Sequence, residues 1–371
     1  MKTDIRLLAV VIALAIPAHS ESRWKLQFFH DKDKSTLDIR DLQCTSANIC
    51  LAAAALSEQG KGKPKGTLVV TSDGGEHWSY REVKDIPYSL FFLNASMGWM
   101  TTDKGIYQTL DTGREWKKLN SLKGVERVWF LDGLHGFAVG EGKSIYETKD
   151  GGKEWAKREV ADPRPMEAKD VVFDGIAFFG PKRGMISGSW NPMQGVQQME
   201  WLEMDASRRP KLPISAILIE TTDGGQTWSA SETKAQGRLT RLRYQNESTV
   251  LGLVDFVGAT QVPSEIFSIG LKARDTSPLF HQTGRVARDF IILPGGEVVT
   301  AAVELLGKSN DVPIPGKLKM MTSTSLVTWL DEKADYRAVA MKPILAAADA
   351  DHVWVATDTG MILKRVDTSV K

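Results

Sequence analysis

The chain is short of cysteine and histidine, with two of one and six of the other in 371 residues. It also carries almost no net charge, 47 Lys and Arg standing against 46 Asp and Glu. Each shortage excludes a class of function. A near-neutral balance lacks the basic stripe by which a protein holds nucleic acid. The histidines, at positions 19, 30, 77, 135, 281 and 352, have no metal-ligand spacing, so neither a metal nor a cofactor is expected. Beyond residue 16 no second long apolar run occurs, and hence no integral membrane segment is expected in the mature chain. Gly-rich stretches such as Asp73-Gly74-Gly75 are not followed by a helical pattern. They read as turns, not phosphate cradles.

What is present starts with a leader. Lys2 and Arg6 precede a short apolar run, Leu7 to Ile16, and Ala18 and Ser20 place small residues where a signal peptidase reads. The expectation is a signal peptide over 1–20, cleavage before Glu21, and one domain over 21–371 that is periplasmic or secreted. Asp4 is out of type for such a leader, and a disordered or anchoring N-terminus is the competing reading. In an oxidising compartment Cys44 and Cys50 are expected to form a disulfide. It would close a short loop between two predicted strands, 37–44 and 49–56, and stabilise by roughly 2–3 kcal/mol. A metal or redox pair is the weaker reading, because the spacing is not C-x-x-C and no histidine lies nearby.

Repetition dominates the rest. Thr71-Ser-Asp73-Gly-Gly75-Glu-His-Trp78 recurs as Thr109-Leu-Asp111-Thr-Gly113-Arg-Glu-Trp116, as Thr148-Lys-Asp150-Gly-Gly152-Lys-Glu-Trp155 and as Thr221-Thr-Asp223-Gly-Gly225-Gln-Thr-Trp228. A worn copy, Thr322-Ser-Thr324-Ser-Leu-Val-Thr-Trp329, keeps the threonines and the Trp and loses the Asp and Gly. The octet resembles the Asp box, or bacterial neuraminidase repeat, of sialidases and of many propellers without that activity. Its residues make physical sense as a turn: the Asp accepts backbone N–H groups within it, the Gly supplies a positive φ, and the Trp opens the next strand. Five of the eleven tryptophans are accounted for in this way.

Four short period-two segments surround each octet, in units of 38–39 residues where they are compact. That is the arithmetic of a propeller blade. The fold expected is all-β, a seven-bladed β-propeller of four-stranded antiparallel blades. The last unit offers only three strands, 337–344, 352–357 and 361–366. Trp24-Lys-Leu-Gln-Phe-Phe29 is therefore expected to close the last blade from the N-terminus, removing an open edge. Six blades is the competing count.

Because the octets sit between third and fourth strands, they share one face. Long loops at 57–66, 188–212, 258–264 and 307–317 elaborate the other, where a ligand is expected. The insertion in the fourth blade offers Trp190, Gln194, Trp201, Arg208 and Arg209 as candidate ligand contacts. The same stretch also reads as a short helix over 196–204 that folds its own Trp onto the propeller. No catalytic residues can be assigned. The early Arg-Ile-Pro signature of sialidases is absent, and acids such as Asp255 and Glu304 cannot be paired across a cleft from sequence. Arginines or paired carboxylates clustered at the axis would favour an enzyme, and a flat or apolar face a binder.

The phrase Gly98-Trp-Met-Thr-Thr102 followed by Gly105-Ile-Tyr107, echoed by Gly136-Phe137 and Ser144-Ile-Tyr146, resembles the photosystem II stability and assembly factor family. That resemblance implies an exported seven-bladed propeller that acts by binding other proteins. The expected function is thus a non-catalytic scaffold for a protein or glycan partner. A glycan-active hydrolase, sialidase-like or another glycosidase, on the same scaffold is the alternative.

Overall fold

The computed structural model describes residues 23–163, 165–192, 214–256, 262–306, 308, 309 and 312–366. Among these the only helical element is a single 3-10 turn, Ala168–Asp170, and strands make up the architecture. Five four-stranded antiparallel sheets stand separately. A nine-stranded sheet divides into two more blades where Leu330–Ala334 meets Arg23–Phe29. That junction is a parallel bridge of two residue pairs, Arg23 with Lys333 and Trp24 with Ala334.

Burial follows from blades packing face to face. The second strand of a blade is covered on both sides, so Cys50 to Ala55 and Gly98–Thr102 are buried throughout and read as continuous small or apolar runs. The outermost strand Ser79–Val83 is largely exposed. Seven hydrophobic clusters form, and each joins two neighbouring blades. The cluster of Leu37, Val69, Trp354 and Ile362 ties the first blade to the last. Seven blades and seven seams among the described residues set the count against six.

The octets have one geometry in all four copies. Thr71 Oγ1 donates to Asp73 Oδ1 (2.8 Å), while the Gly75 N–H donates to Thr71 Oγ1 and the His77 N–H to Asp73 Oδ1, both at 3.0 Å. Thr109, Thr148 and Thr221 make the same bond to Asp111, Asp150 and Asp223. Gly75, Gly113, Gly152 and Gly225 have φ between +75° and +99°. At two of these positions glycine also answers a close approach. A Cβ on Gly113 would lie 2.4 Å from Leu51 of the preceding blade, and one on Gly225 would lie 2.1 Å from Phe137. Each turn thus leans on its neighbour, and the Trp99 indole and the Asn120 amide donate to the carbonyls of Gly151 and Gly152 in the next blade. Trp78, Trp116 and Trp155 stand just before their outer strands, not within them. Cys44 and Cys50 are disulfide-bonded across a hairpin whose strands pair them directly.

The last blade differs in one detail from the sequence reading. Its innermost strand is Ile344–Ala347, not 337–344, and Val339–Ala340 instead pairs with Gly316–Ser323 of the sixth blade. Pro343 has no N–H for the ladder and separates the two. The fourth strand is Arg23–Phe29, antiparallel to Met361–Val366. Trp24 is buried, and its indole donates to Glu332 Oε2 (2.6 Å) in the sixth blade. Arg365 bridges Glu332 (2.6 Å) and Glu297 (2.8 Å) of that blade. Replacing Trp24 with Ala is expected to cost about 3–5 kcal/mol of stability, measurable as a lower midpoint in denaturant.

Candidate functional site

The innermost strands surround the axis, and six of them carry a bulge at the same place. The register against the second strand jumps between Ile39 and Asp41, Pro87 and Ser89, Val125 and Arg127. It jumps again between Phe173 and Gly175, Leu239 and Arg241, Ala287 and Asp289. A bulge leaves one residue out of the ladder and re-aims its side chain. The residues left out are Arg40, Tyr88, Glu126, Asp174, Thr240 and Arg288, and all six line one cavity of about 600 Å3 on the axis. Pro343, just ahead of the seventh innermost strand, lines it too.

The cavity lies at the end of the propeller opposite the Asp boxes. Its mouth includes Asp103, Glu141 and Asp358, which belong to turns between second and third strands. The boxes meet the turns at the other end, where the Gly74 N–H donates to the Asn48 carbonyl and the Gly151 N–H to that of Leu134.

The residue after the bulge completes the inner ring. Asp41 accepts the N–H groups of Leu42 (3.0 Å) and of Leu90 in the next blade (2.8 Å). It also accepts Arg127 Nη1 from the third blade (2.9 Å). Asp289 does the same with Phe290 (3.0 Å), Leu345 (2.9 Å) and Arg241 Nε (2.8 Å). Buried acids so paired fix blade to blade at the axis. Further out, Arg288 pairs with Asp255 and Arg40 with Asp38. Asp103 Oδ1 caps the Ile86 N–H, and Asp358 Oδ1 caps those of Met341 and Lys342.

Three carboxylates differ. Glu126, Glu141 and Asp174 line the cavity, and among the described residues their side chains make no hydrogen bond or ion pair. Asp174 Oδ1 is shielded from water without a partner. Burial pushes the Asp174 carboxyl up to about 6. Burial first, and the negative charge of Glu141 second, push Glu126 up as well.

The other sequence candidates fall elsewhere. Trp190 ends the second strand of the fourth blade, Arg183–Trp190. Gln194, Trp201, Arg208 and Arg209 lie outside the described residues, as does the expected leader. Asp255 reaches the cavity, whereas Glu304 pairs with Lys319. The sequence reading missed the bulge residues. Their mark was legible as two successive non-core residues before an apolar one: Arg40-Asp41-Leu42, Glu126-Arg127-Val128, Thr240-Arg241-Leu242 and Arg288-Asp289-Phe290.

Asp174 gives a stability test. Its folded pKa of about 6 exceeds the ordinary 3.8, so the folded state binds the proton more tightly than the unfolded one. The stability this adds is complete below pH 3.8 and is lost as pH rises through 6. Asp174→Asn is therefore expected to be about 1–3 kcal/mol more stable than the parent at pH 8 and no more stable at pH 4, as read by urea unfolding at the two pH values.

Comparison with known proteins agrees with this architecture. The family model for the photosynthesis system II assembly factor YCF48 matches residues 118–193, the third blade and the start of the fourth. No curated protein matches the sequence. Among solved structures, YCF48 bound to D1 peptide is 16% identical with a TM-score of 0.57, covering 91% of this chain and 98% of the other. YCF48 from Cyanidioschyzon merolae is 14% identical with a TM-score of 0.58, covering 92% and 98%. The WD40 propeller domain of Doa1 is 10% identical with a TM-score of 0.57, covering 93% and 97%. The chain is a β-propeller of the bacterial neuraminidase repeat type that resembles the photosystem II assembly factor YCF48.

Proposed function

We propose that this chain is an exported, non-catalytic scaffold that binds a segment of a partner protein in the axial cavity, on the face opposite the Asp boxes. One observation carries the reading. Six blades each spend a bulge on turning a side chain into the same 600 Å3 space, although a bulge gives up ladder pairing. The likeness to YCF48 supports a protein partner, since one of those structures holds a D1 peptide. Export is supported by the leader-like N-terminus and by the Cys44–Cys50 disulfide. Among the described residues no helix is long and apolar enough to cross a membrane.

The hydrolase alternative has the expected cluster of arginines and carboxylates at the axis in its favour, and one further observation. An acid held near 6 beside a second carboxylate in a polar cavity has the property of a general acid. Against it, four of the five arginines that line the cavity are already engaged, Arg40 by Asp38, Arg127 by Asp41, Arg241 by Asp289 and Arg288 by Asp255, which leaves Arg238 where a sialidase clamp needs three.

A photocrosslinking amino acid at Tyr88, inside the cavity, and another at Tyr80, on an outer strand, separate the readings in the native host. The expected result is one protein adduct from position 88 and none from position 80. Equal labelling from both positions would overturn the axial assignment. Release of aryl alcohol from aryl glycosides, abolished in Asp174→Asn, would establish the hydrolase instead.

A further inference from the structure

The cavity's charges are unevenly spent. Every acid that faces an arginine at short range is used: Asp38 by Arg40, Asp41 by Arg127, Asp255 by Arg288 and Asp289 by Arg241. Asp103 and Asp358 are used by backbone N–H groups. The carboxylates left over, Glu126, Glu141 and Asp174, gather on one wall. Glu126 and Asp174 are the bulge residues of adjacent blades, the third and fourth. Glu141 sits on the rim turn of the third. Glu126 feels the negative charge of Glu141, and Asp174 that of Glu126, so the three are near enough to repel. Arg238, Arg241 and Arg127 face Asp174 from blades five and three. Arg127, Arg40 and Lys342 face Glu126. Arg40, Arg127 and Arg241 already hold another acid, Arg238 and Lys342 line the cavity without an ion pair among the described residues, and none of the five bonds to the wall.

A wall of unpartnered carboxylates in a concave space, one of them with a buried oxygen that no protein group satisfies, leaves room for a donor from outside. The donor is not a bare metal ion. Among the described residues the one trio of acid and imidazole groups with ligand atoms within 4.8 Å of one another is Asp73, Glu76 and His77, on the first Asp box. The wall is too widely spaced to coordinate an ion and suits a group with several N–H donors spread over a plane or a tetrahedron.

We propose that the wall formed by Glu126, Glu141 and Asp174 is a subsite for a positively charged side chain, the guanidinium or ammonium of an Arg or Lys in the partner's segment. This rests on the protein-binding reading above and names what that segment must carry. Binding weakens as pH falls through about 6, because Asp174 then takes up a proton and loses the charge that attracts the ligand.

Acetylated and amidated alanine pentapeptides with a central Arg, Lys, citrulline or Glu, titrated into the mature protein by NMR at pH 7.5, test it. The Arg and Lys peptides are expected to bind at least about tenfold more tightly than the citrulline peptide, which keeps the shape and drops the charge. That preference should vanish in Glu126→Gln/Asp174→Asn, and it should shrink at pH 5. Equal binding of citrulline and Arg peptides, a preference for Glu, a preference that survives in the double variant, or no binding by the Arg peptide each overturns the subsite. A position-88 crosslink that persists beside such a result leaves the protein-binding reading standing; loss of that crosslink removes both.

Discussion

Everything in this molecule depends on adjoining blades packing face to face around a closed circle. A four-stranded sheet has two faces to cover, and here each face is covered only by the next sheet. Seven clusters of buried side chains lie in seven seams, and the N-terminal strand, paired with the C-terminal one, carries Trp24 into the seam between the sixth and seventh blades. Trp24, Glu332 and Arg365 concentrate that closure in a few side chains. The Asp boxes serve the same end on a smaller scale. Their glycines let each turn settle on the preceding blade, so an element that looks local in sequence works between repeats.

The circle also explains where function can reside. Inner strands crowd the axis, and a residue pushed out of the ladder has nowhere to go but inward. The bulges use this twice over. The residue after the bulge locks neighbouring blades together where it is Asp41 or Asp289, while the extra residue is left for the cavity. The two roles pull in opposite directions energetically. Asp41 and Asp289 are fully satisfied, whereas Asp174 and Glu126 have no bonded partner, and burial raises the pKa of both. That contrast, on one wall of one cavity, is what singles the wall out as a candidate site.

Much of the scaffold was legible beforehand. Four octets, each with its own Asp, Gly and Trp, give the blade spacing, and a Trp-led strand ahead of the first blade gives the closure. The axial site was hidden for a physical reason. Period-two alternation separates the two faces of a strand, but in a propeller both faces meet other blades, and it is the edge that meets the axis. No alternation pattern marks an edge. Only the break in alternation at Arg40-Asp41, Glu126-Arg127, Thr240-Arg241 and Arg288-Asp289 does so, and each break alone looks like a solvated turn. The displaced innermost strand of the seventh blade has the same origin, since one proline at position 343 outweighs the apolar pattern on either side.

The pairing of Arg23 with Val366 brings the two ends of the described chain side by side at the outer margin of the ring, where the sixth and seventh blades touch. The order of strands there is that of any other blade except for a missing connection. A turn of the Asp-box kind spliced between these two residues would make the seventh blade continuous. The polypeptide could then begin and end at another hairpin, such as the one around Gly60 to Lys63, without disturbing any seam.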